Sequence, residues 1–147
     1  MKKISLFLVI LAVLITGGCA NKSASKNWPE ICLNQTCFSI QLAKTEQERE
    51  YGLMNRTSLP ELSWMLFIFD TEDYHIFWMK DTLIPLDMIR IDSELHVVWI
   101  KEADPCTQDE CLIYNPGKTA SYVLELNKWI SAKYGIKAWD KAELSLQ

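Results

Sequence analysis

The apolar residues of this chain come in short runs closed off by polar and turn-forming residues, which suits strands better than long helices. Phe38-Ser39-Ile40-Gln41-Leu42 alternates apolar and polar, the period-two pattern of a half-buried strand. Residues 64–69 are continuously apolar and aromatic, as in a central strand, and residues 76–79 read as its partner after a polar turn at 70–74. Residues 86–91 and 95–100 form a hairpin about Asp92-Ser93-Glu94, with further strands at 122–126 and 141–146. Helices are few. Thr45 and Glu48 make a capping box for a short one ending at Gly52. Asn127 caps a second that runs through Tyr134 and stops at Gly135. The expected fold is mainly β, a single compact sandwich- or barrel-like domain of about seven short strands with two short helices.

The front of the chain has a different character. Met1-Lys2-Lys3 is basic, and the apolar run from Ile4 to Ile15 is too short to span a bilayer, which takes about twenty residues. Such a run suits the centre of a secretory signal. Ile15-Thr16-Gly17-Gly18-Cys19 then resembles the lipobox of bacterial lipoproteins, with Thr16 where Leu is usual. That resemblance implies a signal peptide over residues 1–18 and lipidation at Cys19. The protein would then be exported and held at the bacterial cell envelope by acyl chains, facing the extracytoplasmic side. Residues 19–27 are anchor and small, polar tether, and residues 28–147 are the folded domain. Loss of Lys2 and Lys3 takes the net charge from −4 to −6. An acidic chain without a basic cluster is not expected to bind nucleic acid.

The five cysteines divide into Cys19 and two pairs, Cys32/Cys37 and Cys106/Cys111. Four cysteines allow three connectivities, and two close pairs are also a known zinc spacing. Export favours disulfides, and the local pairs Cys32–Cys37 and Cys106–Cys111 are preferred, each closing a short loop worth about 2 kcal/mol. His75 and His96 stand apart from any cluster of ligands, so no metal is assigned. Neither GxGxxG nor GxxxxGK[ST] occurs, and no cofactor is expected.

The most specific stretch is Phe77-Trp78-Met79-Lys80-Asp81-Thr82-Leu83-Ile84-Pro85-Leu86-Asp87. It resembles the FWMKNTLIPLD signature of an uncharacterised bacterial and archaeal family, the domain of unknown function numbered 192. Residues 48–56 (EREYGLMNR) match that family's ERxxGLMxR, and Met65-Leu66-Phe67-Ile68-Phe69 and Val123-Leu124-Glu125 support the match over roughly residues 37–146. The Cys106 to Cys111 loop looks like a lipoprotein-type branch. The chain departs from the family at Asp81, usually Asn, and at Trp64 and Trp139, usually Gly. The resemblance implies a compact mainly-β fold and no established activity.

Candidate site residues therefore rest on their own chemistry. Arg49 and Arg56 flank the GLM turn, and guanidinium suits carboxylates and phosphates. Internal pairing with Asp87 or Glu125 is the simpler use of both. Asp87 falls in register with Ile89 and Ile91, and Glu125 with Val123, so each acid shares a face with apolar side chains. Lys80 shares the Trp78 face. Of the six tryptophans, Trp64, Trp78 and Trp99 lie in apolar runs and are expected in the core. Trp28, Trp129 and Trp139 are the surface candidates. The leading expectation is a binding domain with a shallow polar site at Arg49, Arg56, Trp78, Lys80, Asp87 and Glu125, taking a saccharide, an anionic ligand or an envelope protein. Enzyme activity is the less favoured reading: an envelope hydrolase would use Asp87 and Glu125 as paired carboxylates. A structural or assembly accessory is the third.

Overall fold

Two residues in an unusual backbone region start the fold. β1 (Glu30–Leu33) turns at Asn34 and Gln35, with φ of 48° and 67°, and returns antiparallel as β2 (Thr36–Ala43). Paired positive φ values give the tight turn that matches strand twist, and Asn tolerates that region well. A Cys32–Cys37 disulfide bridges directly opposite residues at the closed end of this hairpin. The computed structural model describes residues 28–146, so the signal segment, Cys19 and the tether lie outside the described residues.

After β2, Thr45 caps α1 (Glu46–Tyr51). Its hydroxyl accepts from the Glu48 backbone N–H, while the Glu48 carboxylate accepts from the N–H groups of Thr45 and Lys44. Those backbone donors hold the Glu48 carboxyl below its ordinary range. The strands that follow are β3 (Ser63–Asp73), β4 (Phe77–Trp78), β5 (Leu86–Ile91), β6 (Val97–Ala103), β7 (Ile113–Tyr114) and β8 (Ala120–Asn127). α2 (Ile130–Lys133) and β9 (Glu143–Ser145) complete the order.

Seven strands form one sheet in the order β6-β5-β8-β3-β2-β1-β9, antiparallel except for the β2–β3 pair, and it curls into a half-barrel. The outer strands approach each other at one end. There His96 bridges to Lys141, and backbone bonds join Val97 to Asp140 and Trp139, and Leu95 to Ala142.

Alternation along the strands sorts side chains onto two faces, and both are buried. Phe38, Ile40, Trp64, Leu66, Ile89 and Leu124 point inward, with Ile130 and Ile136 plugging the barrel. Trp64 is fully buried and stacks on Phe38 at 3.4 Å between ring centroids. Met65, Phe67, Met88 and Val123 point outward beneath a cover that includes Leu53, Leu59, Met79 and Ile84. Burial on both faces is why so many of these strands lack clean alternation.

Two expectations are corrected. Residues 76–79 do not pair with the 64–69 run, because β2 and β8 already occupy both edges of β3. β3 continues instead to Asp73, and β4 pairs with β7 in a separate two-stranded ribbon. Asn127 does not cap α2 either. It stays in the ladder opposite Leu86 and donates its side-chain N–H to the Leu59 carbonyl, 2.7 Å away. The zinc alternative also falls. The Cys32 and Cys37 sulfurs are bonded to each other beside Glu30, and Cys106 and Cys111 are bonded on a different loop.

Candidate functional site

On the outer face, β3, β8 and β5 lie side by side, and one row of that face carries an acid. Glu125 of β8 stands opposite Met65 on one side and Met88 on the other. Above this row sit α1, the turn at Gly52 and the ribbon strand β4, leaving a groove of about 660 Å³ between cover and sheet. That volume lies in the range of small-molecule sites. Leu53, Met54, Phe67, Phe69 and Phe77 wall the groove, and Glu125 is at its floor.

Gly52 makes the approach possible. Its φ of 47° is in the region that favours glycine, and a Cβ there would meet the Phe67 ring at 3.2 Å. The turn therefore packs directly on the aromatic wall. Phe77 meets Phe67 edge-on at 5.0 Å between centroids, and Phe69 stacks on His75 at 3.5 Å.

Glu125 is 4% exposed. It accepts no hydrogen bond and makes no ion pair among the described residues, and burial alone pushes its carboxyl up to about 8. The two candidate cations of the groove, Arg49 and Lys80, are already engaged. Arg49 donates to the carbonyls of Lys44 and Ile68 and lies over the Phe69 ring at 5.1 Å. Lys80 donates to the Gln108 carbonyl at 3.0 Å and lies 3.7 Å from the Asp109 carboxylate. The loop that supplies Gln108 is closed by Cys106–Cys111 and bonded to the Asp81 N–H through the Cys106 carbonyl.

Of the candidate residues, Arg49, Trp78, Lys80 and Glu125 line this one groove, and Arg56 and Asp87 do not. Arg56 donates to the Gln41 side chain instead. Asp87 faces the barrel interior, fully buried, and accepts from both the backbone N–H and the hydroxyl of Ser131 at 2.9 and 2.6 Å. It thereby caps α2 from across the sheet. Neither arginine pairs with either acid. The paired-carboxylate arrangement is excluded by register: Asp87 stands opposite Leu126, one residue from Glu125, so the two acids point to opposite faces. They cannot flank one scissile bond. Trp78, expected in the core, is 56% exposed at the groove's rim, since its short strand β4 belongs to the cover rather than the sheet.

Sequence reasoning passed over Arg90. It is buried on the outer face, its guanidinium lying 5.4 Å from the Phe77 ring centroid and 5.7 Å from that of Trp99 and donating to the His75 carbonyl. Desolvation lowers it to about 10. The signal was available: Arg90 shares the period-two face of Leu86 and Met88. His75, set aside as isolated, also lines the groove.

Comparison with known proteins gives an uncharacterised family and two similar solved structures. A family model for DUF192, described as uncharacterised ACR, matches residues 30–144. A Sinorhizobium meliloti protein described provisionally as a transcription regulator superposes with a TM-score of 0.72 at 29% identity, over 79% of this chain and 91% of its own. A Novosphingobium aromaticivorans protein of unknown function gives 0.69 at 32% identity, over 78% of this chain and 83% of its own. No curated protein matches.

Proposed function

The chain belongs to the DUF192 family, and from that premise we propose that it is an exported, lipid-anchored envelope protein whose β domain binds a small ligand in the groove over Glu125. One observation carries the binding reading: a carboxyl almost wholly removed from water, without a donor, at the floor of a preformed aromatic groove. Burial disfavours the ionised form of this carboxyl, and a ligand that supplies a donor or a positive charge there relieves that penalty. A fold needing only a core would place an apolar residue there.

The lipoprotein reading rests on the order of Lys2-Lys3, the apolar run, Gly17-Gly18 and Cys19. The regulator description of the Sinorhizobium protein is not extended to this chain, whose net charge is −4 with no basic cluster.

A thermal-shift screen of residues 20–147 against saccharides, anions and amines tests the binding reading. The expected hit raises the melting temperature of the wild type and not that of Glu125→Gln. A full screen without such a hit, or hits indifferent to Glu125, would sink it. The anchor is tested separately by mass spectrometry of the mature chain: acyl mass on Cys19 is expected, and a soluble, unmodified product would reject it.

A further inference from the structure

Resting on that reading of the groove, we infer that its occupant is an organic cation: an apolar body along the phenylalanine wall, with a single ammonium or amidinium end on the Glu125 carboxylate. The walls argue for one polar end. Leu53, Met54, Phe67, Phe69 and Phe77 form the groove's apolar side, which leaves only scattered partners such as Thr82 for the many hydroxyls of a saccharide. The floor decides what that end is. Glu125 needs a donor, and an anionic group would meet a carboxyl there instead.

Charge points the same way. From α1 the groove receives Glu46, Arg49 and Glu50, from β3 Asp70, from the following loop His75, and from beyond β4 Lys80. β5 adds Arg90 on the same sheet face, behind Phe77. Among the charged residues that line the groove, two cations (Arg49, Lys80) face three acids (Glu46, Glu50, Asp70) besides Glu125. Ionising Glu125 adds a further negative charge, and a cationic ligand offsets it. Arg49 and Lys80 do not pair with Glu125: Arg49 Nη1 donates to the Lys44 and Ile68 carbonyls, and Lys80 Nζ to that of Gln108. The aromatic cluster already accommodates guanidinium groups over Phe69 and Phe77, so a cation beside these rings is in a setting the fold uses twice.

Binding then releases a proton. The empty groove holds Glu125 protonated up to about pH 8, and pairing with an ammonium requires the carboxylate. The carboxylate fraction rises tenfold per pH unit below that value, so affinity for the cation rises about tenfold per unit from pH 6 to pH 8 and then levels off.

Three probes with one indole body separate the alternatives: tryptamine, tryptophol and indole-3-acetate, titrated calorimetrically into residues 20–147. That stretch contains the whole domain that makes up nearly all of the Sinorhizobium chain. Two buffers of different ionisation enthalpy count protons. Tryptamine is expected to bind with about one proton released at pH 6.5, tryptophol to bind at least tenfold more weakly at pH 8 with none, and indole-3-acetate not to bind. Glu125→Gln should flatten the pH dependence and abolish the release. A pH dependence that survives in that variant belongs to another group and overturns the inference. Equal or tighter binding of the alcohol or the acid overturns it too, while leaving a groove that binds ligands. Silence from all three probes rejects the cation, and only silence in the wider screen as well would reject the groove.

Discussion

Glu125 and Asp87 are one residue out of register on neighbouring strands, and that offset gives them opposite duties. Between pH 4.5 and about 8 the unfolded chain has lost a Glu125 proton that the folded chain keeps. Stability therefore falls as pH rises through that window, by up to about 1.4 kcal/mol per unit, and levels off above it. Glu125→Gln should remove the slope, read as urea midpoints at pH 5, 7 and 9. An identical slope in the variant would assign it elsewhere. Asp87→Ala strands both Ser131 donors and should cost about 2–3 kcal/mol. A double-mutant cycle should find Asp87 coupled to Ser131 and additive with Arg49; coupling to Arg49 would contradict the geometry. Period-two alternation made both acids legible as polar groups on apolar faces. Which face each acid takes depends on strand pairing over more than thirty residues of chain, and no local pattern carries that.

At the level of elements, the ends were harder to read than the middles. The apolar run at 64–69 is only the buried half of β3, whose outer half, Asp70–Asp73, is exposed and polar, so hydropathy saw a turn where the strand runs on through an irregularity and pairs again at Asp73. α2 lacks a side-chain cap of its own. Its N-terminus follows Trp129 in the left-handed region, and the Asp87 cap comes from another strand. The capping box of α1, being local, was readable outright. At two of the three positions where the chain departs from the family signature, the backbone suits the family's residue better. Asp81 has φ of 54° and Trp139 has φ of 74°, values that Asn and Gly adopt more easily than other residues. Because Trp139 is also exposed, Trp139→Gly should stabilise the domain by about 1 kcal/mol, measured by thermal or urea unfolding. A loss would mean that the indole makes a contact worth more than the strain.

For the molecule as a whole, the mainly-β class followed from the short runs, whereas β1 and β7, two of the nine strands among the described residues, were not read from them. What the runs could not convey is that one sheet has an inside and an outside with different tasks, the inner face holding the barrel together and the outer face making the floor of a groove. The hairpin at the start of the domain matters in a further way if the chain is anchored at Cys19. Any pull from the membrane then enters at Trp28 and bears on β1, which would peel from β2 one pair at a time, Glu30 from Ser39 and then Ile31 from Phe38. The next pair is Cys32 and Cys37, joined covalently. The tear stops there, two pairs in, and the remaining load passes to β2, which lies beside the central strand β3. In single-molecule pulling from residue 28, the oxidised domain should hold at a higher force than the reduced one. Equal forces would show that the bond carries no tension. In a chain tethered at Cys19, this disulfide at the far end of the first hairpin would be a crack-stop.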